Sequence, residues 1–176
     1  MTCIVGLEHE GQVWLGGDSA AVADTDISIP IEPKVFRNGP YVIGFSTSFR
    51  MGQILQYQFR PPNPAKSRIK DLTRFMITQF IEAVREAFKD KNFKDEDGDG
   101  GQFLVGYRNK LFIVDSDFHI CRPAFGFHAI GCGDNPALGA LFVSQERTPM
   151  DRVMGALKAS AAFCTTVRGP FTVIHT

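Results

Sequence analysis

The order of strand-like and helix-like segments predicts an α+β fold in which antiparallel sheets pack against helices. Three observations carry this expectation. Strand patterns occur in runs instead of alternating with single helices, a helical stretch divides one run from the next, and neighbouring strands are joined by short turns. Two sheets face to face, each covered by a helical pair, would accommodate the elements within a single domain spanning 1–176.

The first strand is expected from Thr2 to Glu8. A polar turn, Glu8-His9-Glu10-Gly11, leads into a second, Gln12-Val13-Trp14-Leu15, making a hairpin. That strand ends in Gly16-Gly17-Asp18-Ser19, where small residues allow close approach by backbone or ligand. Residues 20–33 read as an irregular or extended crossing containing Pro30 and Pro33. Lys34-Val35-Phe36-Arg37 and Tyr41-Val42-Ile43-Gly44-Phe45 form a strand pair around Asn38-Gly39-Pro40. A helix is expected over about 48–59, with Met51, Ile54, Leu55 and Phe59 on one stripe, until Pro61-Pro62-Asn63-Pro64 stops it. A second helix is expected over about 66–90, where Ile69, Leu72, Phe75, Met76, Phe80, Ala83, Val84 and Ala87 recur at helical spacing.

The stretch from Lys94 to Gly101 is polar and glycine-rich. Asp95, Asp97, Asp99 and Gly100 imitate the start of a calcium loop, but its twelfth position is Gly106 instead of Glu, so a solvated loop is expected. Four strands follow, at Gln102–Tyr107, Lys110–Asp115, Phe118–Arg122 and Phe127–Gly131, with Arg108-Asn109 and Ser116-Asp117 as hairpin corners. Asp134-Asn135-Pro136 starts a helix that runs through Phe142. Thr148-Pro149 places a cap residue before a first-turn proline, and that helix is expected to reach about Thr165. Gly169-Pro170 precedes a closing strand, Phe171–Ile174.

Hydrophobic residues make up 44% and charged residues 22%, and the formal net charge is zero, so no basic excess argues for nucleic acid or an anionic membrane. No apolar run is long enough to span a bilayer, and the N-terminus lacks the basic and apolar regions of a secretion signal. Cys3, Cys121, Cys132 and Cys164 show no CxxC clustering, which fits a reduced, cytoplasmic compartment. His9, His119, His128 and His175 lie in separate segments without metal-ligand spacing, so no metal site is expected.

The chemistry rests on a set of positions: Thr2, Gly16-Gly17-Asp18-Ser19, Lys34, Gly44 to Ser48, and Gly131-Cys132-Gly133-Asp134. In this set the sequence resembles the proteasome β-subunit family, and most of all its bacterial HslV-type peptidases. Those begin with Met-Thr, place a Gly/Ala-Asp-Ser/Gly segment at the end of the second strand, and follow it with a lysine before a valine. Asp18 and Lys34 keep that spacing from the threonine without a gap, and the likeness runs through Ala129-Ile130-Gly131-Cys132-Gly133 to the alanine-rich last helix.

The resemblance implies a four-layer αββα sandwich of the N-terminal-nucleophile (Ntn) hydrolase type. It also implies a threonine peptidase whose nucleophile, Thr2, is exposed by removal of Met1. A threonine hydroxyl is a poor nucleophile and needs a base, and a terminal amine of pKa about 7.7–8.0 suits that role near neutral pH. A buried lysine lowers the amine's pKa, and a carboxylate orients the lysine. By resemblance Lys34 and Asp18 take these parts, Thr47 supplies an oxyanion-hole amide, and Ser19, Gly131 and Gly133 support the site.

Two positions depart from the family pattern. Thr47 stands where the family has glycine, and Cys132 stands where it has serine near the amine. A thiol is a weaker hydrogen-bond donor and is open to oxidation. The resemblance implies that no cofactor is required, and leaves room for a monovalent cation held through carbonyls near Cys164. A homo-oligomeric ring, a polypeptide substrate and an AAA+ ATPase unfoldase as partner are also implied by the resemblance. A non-catalytic structural or assembly member and an amidase for small molecules are the competing readings.

Overall fold

β1 (Ile4–His9) and β2 (Gln12–Gly17) pair antiparallel from Ile4↔Gly17 to His9↔Gln12, leaving Glu10 and Gly11 as a two-residue turn with φ of +44° and +76°. This turn twists in the sense that matches its strands. The computed structural model describes residues 2–65, 69–93 and 100–176. Asp95, Asp97 and Asp99 lie outside the described residues.

The strands form two main sheets. β10 (Phe127–Ile130), β1, β2 and β11 (Thr172–His175) lie in that order in one. In the other, β5 (Val35–Asn38), β6 (Tyr41–Phe45), β7 (Phe103–Tyr107), β8 (Lys110–Val114) and β9 (Ile120–Cys121) follow sequence order. Every pairing is antiparallel. Between β7 and β8, Arg108 and Asn109 both have positive φ, so this corner is a two-residue turn as expected.

Strand alternation assigns the layers. Ile4, Val13 and Leu15 of the first sheet meet Val35, Val42, Leu104 and Leu111 of the second, forming the inter-sheet core. The next residue along β1, Val5, points to the other face, where it packs with Leu7 and Ala129 against α4 (Asp134–Val143) and α5 (Pro149–Phe163). The outer face of the second sheet, including Ile43, Phe103, Val105 and Phe112, is covered by a second helical pair. One member is α1 (Phe49–Gln53), continued by a π-helical turn (Ile54–Gln58). The other joins α2 (Leu72–Phe75), a π-helical turn (Met76–Phe80) and α3 (Ile81–Asp90). The result is the expected four-layer αββα sandwich.

The caps explain where the helices start. Ser48 Oγ accepts from Met51 N, Asp71 Oδ1 from Arg74 N, and Thr148 Oγ1 from Asp151 N, with Pro149 in the first turn. Asp71 therefore starts its helix later than the 66 expected from periodicity. Ile69 packs on the core without being helical, which misled the pattern. Residues 20–33 hold a small hairpin, β3 (Ala21–Ala23) with β4 (Asp26–Ser28), where an irregular crossing was expected. The Phe118–Arg122 strand shrinks to Ile120–Cys121, because Phe118 has φ +66°, which no strand residue adopts. α5 ends at Phe163, short of Thr165. Among the described residues, no helix is long and apolar enough to cross a membrane.

Candidate active site

Antiparallel register gathers several strand ends at one edge of the sandwich. The start of β1 lies beside the ends of β2 and β10, through Ile4↔Gly17 and Ile4↔Ile130. In the facing sheet, the start of β5 lies beside the end of β6, through Val35↔Gly44. Pairing gathers Thr2, Asp18 and Cys132 at the edge of one sheet and Lys34 and Ser46-Thr47 at the edge of the other, and the packing of the two sheets brings both sets together.

Thr2 and Asp18 are buried at 4% and 1% exposure, and Lys34 at 1%. The Lys34 ammonium donates to Thr2 Oγ1 at 3.0 Å, Asp18 Oδ1 at 2.9 Å and the Ala20 carbonyl at 2.6 Å. The carboxylate of Asp18 also accepts from Cys3 N at 3.0 Å through Oδ1 and from Ala20 N at 3.2 Å through Oδ2. Asp18 N in turn donates to the Cys3 carbonyl, so the carboxylate is held from both strands. The Lys34 carbonyl accepts from Phe45 N, which fixes the lysine's backbone to β6. The Phe49 ring lies 5.6 Å from the Lys34 ammonium. Burial lowers the pKa of Lys34, opposed by the charge and hydrogen bond of Asp18. A charged Lys34 that spends its protons on these three acceptors has no lone pair to take the Thr2 proton.

On the opposite side of Thr2 lies the segment after β10. Thr2 N donates to Cys132 Sγ at 3.2 Å, while Cys132 Sγ and Gly133 N approach the Thr2 carbonyl at 3.4 and 3.3 Å. Gly131 has φ +90°, and a Cβ there would stand 2.3 Å from the Thr2 carbonyl oxygen, so glycine is required on two independent grounds. Ser19 places its hydrogen bonds on the segment after α5. Its hydroxyl donates to the Pro170 carbonyl and its N–H to the Arg168 carbonyl, which ties the segment after β2 to the one after α5.

Thr47 has φ +56°, a conformation rare for a β-branched residue and natural for glycine. Its hydroxyl accepts from Gln102 N at 3.2 Å, an anchor a glycine could not make. Among the described residues its own N–H has no acceptor. The arrangement suits a donor held ready for a developing oxyanion.

Cys3, next to the threonine, is a second potential nucleophile by composition. Its side chain is fully buried, and burial pushes its thiol up to about 12. The sulfur donates towards Ser160 Oγ and the Gly133 carbonyl. It therefore stays protonated and enclosed near neutral pH.

Sequence spacing did not reveal several neighbours. Cys164 Sγ lies 3.7 Å from Cys132 Sγ, and Thr166 Oγ1 lies 2.9 Å from the sulfur of Cys132 and 3.2 Å from that of Cys164. Burial raises the pKa of Cys164, but its hydrogen bonds with Thr166 and Cys132 outweigh that and leave the thiol below its ordinary value. Ser160 Oγ donates to the Gly133 carbonyl at 2.6 Å, fixing the glycine segment to α5. Arg168 Nη1 donates to the carbonyls of Ala161, Cys164 and Val167 at 3.3, 3.1 and 2.7 Å. Before the structure, this side of the site was marked only by the cation position that the resemblance placed near Cys164. Among the described residues, no three His, Cys, Asp or Glu side chains converge to hold a metal ion.

No protein-family model and no curated protein matches the chain. Solved structures do. Thiobacillus denitrificans BPH in complex with Epoxomicin superposes with a TM-score of 0.78 at 16% identity, covering 99% of this chain and 98% of that one. Eukaryotic HslV from Trypanosoma brucei gives 0.69 at 16% identity, with coverage of 99% and 98%. Anbu (ancestral beta-subunit) from Yersinia bercovieri gives 0.67 at 15% identity, covering 99% of this chain and 81% of that one. At these identities the likeness establishes the fold. The chain has the Ntn-hydrolase, proteasome-like architecture along nearly its whole length.

Proposed function

We propose that this chain is a threonine hydrolase of the proteasome-like type, cleaving peptide bonds with Thr2 once Met1 has been removed. The contact that carries the reading is the 3.0 Å hydrogen bond from the buried Lys34 ammonium to Thr2 Oγ1, with Asp18 behind the lysine. A surface threonine needs no such apparatus. Burying a lysine–aspartate pair costs several kcal/mol per ion before mutual attraction offsets it, so the pair is better explained by chemistry than by stability.

In the proposed reaction the freed α-amine of Thr2 takes the hydroxyl proton while the oxygen attacks the substrate carbonyl. Lys34 stabilises charge on that oxygen, and the Thr47 N–H receives the oxyanion. Collapse of the intermediate expels the peptide amine, which carries away the proton held by Thr2 N. An ester to Thr2 remains. The same amine then activates a water that hydrolyses the ester, restoring hydroxyl and amine. Cys132 holds the amine in position and Thr166 holds Cys132, with Gly131, Gly133 and Ser19 supporting the surrounding backbone. The reaction needs no cofactor. Assembly into a homo-oligomeric ring, with unfolded polypeptide delivered by an AAA+ ATPase, belongs to the same proposal, as does a cytoplasmic location.

One solved relative binds epoxomicin, and the same ligand provides the test. The purified protein should have an intact mass lacking Met1, and incubation with epoxomicin should add one inhibitor mass, mapped to the peptide beginning at Thr2. Retention of Met1 throughout the sample, with no adduct, would favour the non-catalytic reading instead.

A further inference from the structure

We propose that Cys132, Cys164 and the α-amine of Thr2 form a zinc-binding site, and that zinc held there silences the nucleophile. The proposal rests on the reading of Thr2 as the processed N-terminal residue.

Geometry carries it. Two thiolates bound to one tetrahedral zinc at about 2.3 Å each stand about 3.8 Å apart. Cys132 Sγ and Cys164 Sγ stand 3.7 Å apart. A disulfide would require closure to about 2.05 Å, a shift of more than about 1.5 Å through both side chains. A zinc-bound nitrogen lies about 3.6 Å from each sulfur in the same geometry. Thr2 N is 3.2 Å from Cys132 Sγ, a few tenths of an ångström short of that edge.

The surroundings fit as well. Thr166 Oγ1, within 2.9 and 3.2 Å of the two sulfurs, can donate to a ligating thiolate and hold it in place. Cys132 is exposed and Cys164 half-buried, which gives an ion a route in. The fourth position falls to water. The two cysteines are 32 residues apart, which is why their spacing gave no zinc signal. The third ligand is main-chain nitrogen, which carries no residue-type signal.

Binding is a proton exchange without electron transfer. Zinc displaces one proton from each thiol, and one more from the amine where it is protonated, all released to solvent. Two thiolates neutralise the ion, so the cluster adds no net charge beside Lys34 and Asp18. The amine's lone pair is committed to the metal and can no longer accept the Thr2 hydroxyl proton. Hydrolysis stops until a chelator removes the ion.

The test uses the full processed chain under a phosphine reductant, with Co²⁺ as spectroscopic probe and Zn²⁺ as inhibitor. Co²⁺ should produce a near-ultraviolet sulfur-to-metal charge-transfer band that Zn²⁺ abolishes. Zn²⁺ should inhibit peptide hydrolysis reversibly. Cys164→Ser should keep basal hydrolysis while raising the inhibitory zinc concentration about 100-fold and weakening the band. Thr2→Ala keeps a terminal amine, so it should retain the band although it hydrolyses nothing. A band in wild type and Thr2→Ala, with no hydrolysis by either, would uphold the metal site while the peptidase reading falls. Absence of the band from wild type in excess Co²⁺, or an unchanged zinc midpoint in Cys164→Ser, overturns the proposal. So does inhibition that appears only with peroxide and is reversed by reductant, which would make the pair a disulfide couple.

Discussion

Thr2→Ala should abolish peptide hydrolysis, by on the order of 10⁵-fold in kcat, while leaving the fold intact. Alanine is small enough for Met1 to be removed, so the variant keeps the terminal amine and loses only the hydroxyl and a methyl. The structural loss is the Lys34–Thr2 hydrogen bond, worth about 1.5–3 kcal/mol when one partner is charged. Lys34 keeps Asp18 and the Ala20 carbonyl as acceptors. The measurement is a fluorogenic-peptide rate beside a thermal unfolding curve. Wild-type turnover in Thr2→Ala would remove the nucleophile assignment. Cys3→Ala provides the companion measurement. The Cys3 thiol is buried and held protonated, so that variant should keep its activity.

Lys34→Met should lower kcat/KM by roughly 10³-fold, since it removes both the charge that stabilises the attacking oxygen and the cation that lowers the amine's pKa. Without the cation, the amine's pKa rises towards about 7.7–8.0, and the acid limb of the pH–rate profile moves to higher pH. The variant should also lose about 3–5 kcal/mol of stability, because Asp18 is left buried without its ion-pair partner. Asp18 keeps its bonds from Cys3 N and Ala20 N, which favours the lower end of that range. Lys34→Met with Asp18→Asn should recover much of the stability and none of the activity, and this split separates catalysis from folding. A single variant with near-wild-type turnover at pH 7.5 would show that the amine does not need the lysine.

The sheets were legible because alternation and short turns are local signals. Asn109 and Gly11 turn where a positive φ is needed, and Ser48 and Thr148 cap where their oxygens can reach an N–H. The β3–β4 hairpin was not legible. Asp26, Ile27 and Ser28 are all exposed, so no buried face imposes a pattern. The helix at Leu72 was placed too early because the burial of Ile69 resembles helical periodicity. Of the site, Thr2, Asp18 and Lys34 could be named through the family resemblance, whose spacing they keep without a gap, and each lies just beyond the end of a strand. Cys164, Thr166 and Arg168 could not. They reach Cys132 or one another through the packing of α5 on the first sheet, a long-range arrangement that leaves no mark on local sequence. The Ala20 carbonyl, a backbone acceptor, has no residue-type signal at all.

The guanidinium of Arg168 lies among the carbonyls of Ala161, Cys164 and Val167 at the tail of the final helix, the place where a monovalent cation was expected from the resemblance. The fixed positive charge in that cradle is supplied by the polypeptide itself and cannot be washed away. Swapping potassium for sodium, or replacing both with a bulky quaternary ammonium at constant ionic strength, should therefore leave turnover unchanged, whereas an enzyme that borrows its ion from solution would falter.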